Sequence, residues 1–293
     1  MNDPMERALR SLDGLSTGDA FGELFFSLSP EDAGWDDLPP GPWPWTDDTH
    51  MALSIVEVLK EYGRVDQDAL ARAFARRYLE QPNRGYGGGA RRLLVQIATG
   101  SDWRDASPKL FWGGSCGNGA AMRVAPLGAF FAGDPERAAA EARLSAVVTH
   151  AHPEGQAGAV AVAVAASLAA RVPRIAGSDF LEEVARHVPA GITRQRLLLA
   201  CSIPPVEHAR AARTLGTGYE VTAQDTVPFC AWVAAHHLDS FQEALWLTAR
   251  GRGDCDTTCA IVGGIVSLSA PLPPSWLALR EPLPPLNPPE ENP

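Results

Sequence analysis

The chain has 293 residues, of which 45% are apolar, and a formal net charge of -10. This length and composition are enough to bury a core, and the acidic balance excludes a strong nucleic-acid-binding face, which needs clustered Lys and Arg. The five cysteines form no CxxC pair, which is typical of reduced thiols in a cytoplasm. The segment MNDPMERALR contains no apolar signal core, and the longest apolar stretch is too short to span a bilayer. We therefore expect a cytoplasmic monomer with no membrane segment.

Apolar residues recur at helical spacing along the whole chain, whereas alternating strand patterns are scarce, so we predict an all-α protein. No repeat of fixed period and no long polar linker interrupts the body. We expect one compact multi-helix domain over residues 1–270 and a proline-rich tail over 271–293, irregular apart from the docking of Trp276 and Leu277. Beyond the first two helices, the pattern predicts helices at Gln67 to Tyr78, Gly89 to Thr99, Pro135 to Val148, Gly155 to Arg171, Phe180 to His187, Val206 to Leu215, Pro228 to Ala235, Ser240 to Ala249 and Asp256 to Val266.

The first predicted helix, Met5 to Leu28, places Asp19 and Glu23 together on an otherwise apolar face, because residues four apart share one side of a helix. The second helix begins at the segment WTDDT, with Thr46 as its N-cap and Gly63 just past its end. Its first turn therefore contains the paired aspartates of this segment. Taken alone, such a cluster is explained by capping, since Thr and Asp satisfy the free N–H groups of a first turn.

A glycine-rich segment, SCGNGAAMRVAPLG, follows two further glycines and runs into a helix. Glycines let backbone N–H groups approach a phosphate, and a helix N-terminus favours the anion; a plain turn is the simpler explanation of the glycines alone. The Lys and Ser/Thr of a P-loop are missing. Arg123 in this segment either contacts substrate or pairs with an acid of a helix. In the later segment THAHPEG, we expect a hydrogen-bonding role for His150 and a structural or capping role for Pro153 and Glu154.

A second acidic cluster, GDCDTT, precedes a helix of small residues that is suited to close packing in the interior. Its first turn is expected to be buried, and buried carboxylates are costly without a cation. Hard oxygen ligands favour Mg²⁺ or Mn²⁺ over zinc, and repulsion among converging carboxylates favours two ions over one. The predicted metal ligands are Thr46, Asp47, Asp48, Asp254, Asp256 and Thr257.

Five segments follow one another over essentially the whole chain: GLSTGDAFGE, WTDDT, GNGAAMRVAPLG, THAHPEG and GDCDTTCAIVGGI. In this order they resemble the ADP-ribosylglycohydrolases. The resemblance implies an all-α fold and a centre of two Mg²⁺ ions, with Mn²⁺ as the alternative, that removes ADP-ribose from an acceptor. The implied partner is ADP-ribose or an ADP-ribosylated macromolecule. The resemblance further implies that the diphosphate and distal ribose are lined by Ser115, Cys116, Gly117, Asn118 and Gly119, with His150 nearby.

One position departs from the family pattern. Many members have a metal- or substrate-holding glutamate where this chain has Phe26. Glu23 lies three residues earlier on the same helix face, so we expect its carboxylate to reach the same site. The opposite interpretation is that Glu23 is a polar residue beside the cleft and that activity is reduced or altered.

The predicted reaction is hydrolysis of the bond between C1 of the distal ribose and an acceptor nitrogen or oxygen. Asp47, Asp48 or Glu23 would accept the proton of the attacking water. The main alternative is an ADP-ribose-binding module of the same fold without turnover, which the departure at Phe26 keeps open. A hydrolase of phosphate esters would not explain the glycine segment, and a structural protein would need neither that segment nor the ligands. The acceptor stays open among arginine, serine, nucleic acid, a free ester and a polymer.

Overall fold

The structure, a computed structural model, describes residues 3–28, 38–171 and 175–286. Over these residues it contains fifteen α-helices and no β-strand, which confirms the predicted all-α, single-domain fold. No helix in these ranges is long and apolar enough to cross a membrane. The helices are α1 (Pro4–Glu23), α2 (Asp47–Tyr62), α3 (Gln67–Glu80), α4 (Gly88–Ala98), α5 (Trp103–Ala106), α6 (Ala125–Phe130), α7 (Pro135–Val147), α8 (Pro153–Ala169), α9 (Gly177–His187), α10 (Ile192–Ala200), α11 (His208–Leu215), α12 (Ala223–His236), α13 (Phe241–Arg250), α14 (Cys255–Val266) and α15 (Pro274–Leu279).

Side-chain caps explain where several helices begin. Thr46 is the N-cap of α2, as predicted, and its hydroxyl accepts a hydrogen bond from the backbone N–H of Asp48 at 3.4 Å. Gly63 ends the same helix in the left-handed conformation, with φ of 65°. Asp66 and Asp134 cap α3 and α7. These groups satisfy N–H donors that have no partner within the helix.

Helices of small residues form the centre of the molecule. Every residue of α8 from Ala157 to Ala169 is buried, and α6, α7 and α12 pack around this helix. In α14, all residues from Thr257 to Val266 are buried as well. Because Ala, Gly and Val project little from a helix, neighbouring backbones approach closely and leave few voids.

A glycine face of α1 lies directly on α14. Gly14, Gly18 and Gly22 recur every four residues along this face. A Cβ atom at any of these positions would overlap a backbone carbonyl oxygen of α14. Only glycine permits this approach, which brings the C-terminal half of α1, including Asp19, against the N-terminal half of α14.

The predicted end of the first helix is wrong. α1 ends at Glu23 rather than continuing to Leu28, and a 3₁₀ turn follows at Leu24–Phe26. This change of winding takes Phe26 off the apolar face, and 59% of its surface is exposed. The position where the family pattern has a glutamate therefore faces away from the core.

Two other differences involve partners that are distant in sequence. α12 begins at Ala223 and contains Pro228, which was predicted to start the helix. Proline has no N–H to offer the carbonyl oxygen four residues earlier, and Arg196 of α10 donates to that oxygen at 2.7 Å.

The helix α10 itself was not predicted. Glu154 of α8 caps it, since its carboxylate accepts from the backbone N–H groups of Ile192 and Thr193 at 2.7 and 2.9 Å. Glu154 was expected to act at the start of its own helix, so this cap of another helix was not predicted.

The described part of the proline-rich tail packs on the body of the protein. It includes α15 where irregular chain was expected. Trp276 is 5% exposed and stacks on Phe21 with 4.6 Å between ring centroids, which confirms its predicted docking. Glu281 forms an ion pair with Arg84 at 2.7 Å. Residues 287–293 lie outside the described residues, and the boundary at 270 stays a prediction.

The glycine face of α1 gives a stability prediction. Gly18→Ala should lower the free energy of unfolding by about 1–3 kcal/mol or more, because its methyl group would force the backbones of α1 and α14 apart. Gly88→Ala is the matched control, since the same methyl group meets no atom within 4 Å there and should change stability by less than about 1 kcal/mol. Urea unfolding measures both. Equal stability of the two variants would contradict the close contact of α1 with α14.

Candidate active site

A cavity of about 470 Å³ lies between the N-termini of α2 and α14 and the loops that face them. Its volume is in the range of small-molecule sites. Among the predicted site residues, Thr46 and Glu23 lie outside its lining. The structure brings the others together around it: Asp47, Asp48, Ser115, Cys116, Gly117, Asn118, Gly119, His150, Asp254, Asp256 and Thr257.

Asp19 of α1 holds the first acidic cluster in place. Its carboxylate is fully buried and accepts hydrogen bonds from the backbone N–H and hydroxyl of Thr46 at 3.0 and 2.9 Å. It also accepts from the same two groups of Thr49, at 3.0 and 2.6 Å. A carboxylate in this position satisfies the free N–H groups of α2 and complements its dipole. Asp19, to which the sequence pattern assigned no role, thus orients the turn that contains Asp47 and Asp48.

The acidic side chains around the cavity are crowded and poorly hydrated. Burial, followed by repulsion from Asp19, raises the pKa of Asp47 to about 7. Burial, followed by repulsion from Asp256, raises the pKa of Asp48 well above its ordinary value. The pKa of Asp256 is likewise raised well above its ordinary value, by burial and then by Asp254. The protein itself therefore supplies too little positive charge to neutralise these carboxylates.

The oxygen ligands present fit a hard divalent cation. Oδ1 of Asp48 is buried and has no hydrogen-bond partner, while Oδ2 lies 3.5 Å from the hydroxyl of Thr257. Carboxylate and hydroxyl oxygens suit Mg²⁺ and Mn²⁺. Across the described ranges, however, no three His, Cys, Asp or Glu side chains are already grouped to hold an ion. The two-ion centre thus stays a prediction, supported by the orphaned oxygen and the raised pKa values.

The glycine segment forms one wall of the cavity. Asn118 was predicted to contact substrate, but its amide donates to Oδ2 of Asp254 at 2.7 Å and to the hydroxyl of Thr226 at 3.1 Å. It thereby connects the glycine segment to the second acidic cluster. Gly119 faces the ring of His150, and a Cβ atom at Gly119 would lie 2.9 Å from Cε1 of that ring. Glycine keeps this wall open.

Arg123 pairs with no acid in the described parts of the chain. It is fully buried, borders the cavity, and donates to the carbonyl oxygen of Ser145 at 3.2 Å and to the hydroxyl of Thr149 at 2.8 Å. The same hydroxyl lies 2.8 Å from Nδ1 of His150. Burial, with the Arg123 charge second, lowers the pKa of His150 to about 3. The ring is therefore neutral at neutral pH.

Loops without a recognised motif also line the cavity. In the turn before α12, Gly216 and Gly218 have positive φ values of 86° and 90°, and Asp225 accepts a hydrogen bond from the backbone N–H of Glu220 at 3.0 Å. The segment GTG, followed later in the chain by Asp225, is the sequence pattern from which this turn could have been predicted. The unpredicted lining residues include Gly85, Gly87, Gly88, Gly89, Leu110, Phe111, Glu220, Val221 and Thr222.

Glu23, the last residue of α1, is partly exposed and is not among the residues that line the cavity. Burial, followed by the charges of Asp19 and Asp254, raises the pKa of its carboxyl group. Glu23 is therefore within electrostatic reach of Asp19 and of the second acidic cluster, although it does not border the cavity. Its catalytic role stays a prediction.

Comparison with known proteins identifies relatives over the whole chain. A sequence model of the ADP-ribosylglycohydrolase family matches residues 1–285. An uncharacterized protein of Archaeoglobus fulgidus is 30% identical over 288 residues, which span 93% of this chain and 91% of the relative. ADP-ribosylarginine hydrolase Tri1 of Serratia proteamaculans is 26% identical over 304 residues, which span 94% of this chain and 75% of the relative.

Two further matches are partial or structural. ADP-ribosylhydrolase ARH3 of Gallus gallus is 35% identical over 147 residues, which span 49% of this chain and 40% of the relative. A solved structure described as an ADP-ribosylglycohydrolase-related protein complex has a TM-score of 0.60 at 24% identity, over 96% of this chain and 94% of that one. It shares the fold. Since the family model matches nearly the full length, the chain belongs to the ADP-ribosylglycohydrolase family.

Proposed function

We propose that the protein is a metal-dependent hydrolase that releases ADP-ribose by cleaving the bond between C1 of the distal ribose and an acceptor. The observation behind this proposal is that two buried acidic helix starts and the glycine segment border one cavity. The names of the relatives, an ADP-ribosylarginine hydrolase and ADP-ribosylhydrolases, support this substrate class. The acceptor group is left open.

The oxygen ligands come from both acidic clusters. When bound, two Mg²⁺ or Mn²⁺ ions would supply Lewis-acid chemistry that lowers the pKa of the attacking water and orients the ribose hydroxyls. Asp48 offers a buried oxygen that has no other partner, and Asp19 keeps the turn of α2 in position through Thr49. The residues that would hold the ions are Thr46, Asp47, Asp48, Asp254, Asp256 and Thr257.

The protein groups around the cavity have separate parts in the reaction. Asp47 and Asp48 are the first candidates to accept the proton of the attacking water, and Glu23 is the third. Departure of the acceptor leaves positive charge on the ribose, which the surrounding carboxylates stabilise. The diphosphate would lie along the glycine segment, where backbone N–H groups are accessible because side chains are absent.

A second candidate function is an ADP-ribose-binding module with weak or no turnover. The position of Glu23 outside the cavity lining favours it, together with the exposure of Phe26. In this case the glycine segment and the ions bind ADP-ribose, but no carboxylate takes the proton of a water.

Metal removal tests the ion centre. Chelation should abolish ADP-ribose release, and Mg²⁺ or Mn²⁺ should restore it.

Asp48→Asn should weaken Mn²⁺ binding by at least about tenfold. Without metal, this variant should melt a few degrees above wild type, because it lacks a buried charge that neighbouring carboxylates repel. Calorimetry and thermal unfolding measure both effects. Asp66→Asn, in the cap of α3, is the control and should change neither the Mn²⁺ affinity nor the melting temperature. Equal activity of wild type with and without metal would refute the ion centre.

Gly119→Val tests the anion-binding wall. The added side chain would press on His150 and obstruct the glycine segment, so ADP-ribose affinity should fall by about tenfold or more while Mn²⁺ affinity is retained. Gly88→Val, in the same cavity lining but with no atom within 4 Å of its Cβ position, should keep most of the affinity. Calorimetric titration distinguishes them. Unchanged binding in Gly119→Val would move the ligand site elsewhere.

Glu23→Gln separates the enzyme from the binding module. If Glu23 takes part in proton transfer, single-turnover release of ADP-ribose should slow strongly while calorimetric ADP-ribose affinity is retained. Glu6→Gln, at the exposed start of the same helix, is the matched control. Equal turnover of Glu23→Gln and wild type would leave proton transfer to the aspartates alone. Binding by wild type without release from any ADP-ribosylated substrate tested would establish the binding module.

A further inference from the structure

The buried guanidinium of Arg123 is bound only to neutral groups. Besides the carbonyl oxygen of Ser145 and the hydroxyl of Thr149, its contacts are the sulfur of Met51 at 3.5 Å and the ring of Phe74, whose centroid lies 4.3 Å from Cζ. Arg123 is fully buried, and no carboxylate in the described parts of the chain pairs with it. A charge kept in such a place at high cost has a use beyond packing.

The hydroxyl of Thr149 lies between two nitrogen atoms. Nη2 of Arg123 is 2.8 Å away on one side, and Nδ1 of His150 is 2.8 Å away on the other. Guanidinium groups only donate, so the Thr149 oxygen accepts from Arg123. The single hydroxyl proton then has Nδ1 as its one acceptor among the described residues. A proton on Nδ1 would leave that buried hydroxyl proton unpaired, at a cost of about 1–3 kcal/mol.

The other ring nitrogen lies against the glycine segment that lines the cavity. A Cβ atom at Gly119 would lie 3.1 Å from Nε2 of His150, and one at Gly117 would lie 3.4 Å from it. Nε2 has no hydrogen-bond partner in the part of the chain that the structure describes, and His150 borders the cavity. In a neutral imidazole whose Nδ1 accepts, Nε2 carries the hydrogen.

We propose that Arg123 and Thr149 are positioning residues that hold His150 as the neutral tautomer with hydrogen on Nε2, a permanent donor to a ligand oxygen beside the glycine segment. His150 is then a binding group rather than a general base, because its only lone pair is occupied by the Thr149 hydroxyl. The lowered pKa of His150, caused by burial and then by Arg123, agrees with a ring that stays neutral. The ligand is ADP-ribose, so this inference rests on the proposed function.

Nitrogen NMR of ring-labelled histidine tests the tautomer directly, with His150→Gln assigning the signals. Wild type should show an unprotonated Nδ1 and a protonated Nε2. Thr149→Val, which removes the hydroxyl with little change of shape, should give mixed tautomers. It should weaken calorimetric ADP-ribose binding by the factor by which the Nε2-protonated fraction falls, about twofold for an equal mixture; Thr149→Ser should restore both. In Arg123→Met, the Thr149 oxygen is free to accept from Nδ1, so protonation at Nδ1 should rise.

The control is Thr248→Val, which removes an equally buried hydroxyl that donates to the carbonyl oxygen of Ala244 at 2.7 Å. It should leave the ring signals and ADP-ribose affinity unchanged. A protonated Nδ1 in wild type, or wild-type ring signals in Thr149→Val, would overturn the tautomer. Mixed tautomers with unchanged affinity would overturn the donor role. The expected ring signals in a protein that binds no ADP-ribose would instead refute the proposed function and leave the tautomer standing.

Discussion

The contact of α1 with α14 determines where both acidic clusters lie. Gly14, Gly18 and Gly22 let the two backbones touch. Asp19, on the same helix, then meets the N-terminus of α2 and holds its first turn by accepting from the backbone N–H and hydroxyl groups of two threonines. α14 begins on the opposite side of the same space. A bulkier residue in the glycine face would separate the two helices and increase the distance between the two acidic clusters. The geometry of the site therefore depends on glycines that take no part in the reaction.

Among the described residues, two kinds of buried acid differ in how their charge is neutralised. Glu57 is paired with Arg76 at 2.6 Å and Arg77 at 2.8 Å, so the protein neutralises it. Asp48 and Asp256 are surrounded instead by other carboxylates, and their pKa values are raised well above the ordinary range by burial and by those neighbours. Natural folds tolerate such conflict mainly where a ligand resolves it. The contrast separates an acid that the protein neutralises with its own arginines from acids that, under the proposed function, a bound cation would neutralise.

Much of the fold and the candidate site could be predicted because the signals are local. Helical periodicity and the caps at Thr46 and Gly63 depend on neighbouring residues, and the acidic and glycine segments are visible as composition. The features that escaped prediction depend on partners far along the chain. α10 is capped by Glu154 of another helix, and Pro228 is accommodated inside α12 because Arg196 donates to the carbonyl oxygen that proline leaves free. No local pattern records such a partner.

The site is divided between the two ends of the chain. The carboxylate of Asp48 and the hydroxyl of Thr257 lie 3.5 Å apart in space, although the two residues are 209 positions apart in sequence. During synthesis the first cluster emerges long before the second, and the glycine face of α1 stays uncovered until α14 has been made. A product terminated before α14 therefore lacks half of the cavity and the helix that covers α1, which exposes it to aggregation and proteolysis. The whole cavity can therefore form only in a chain that has been extended through α14.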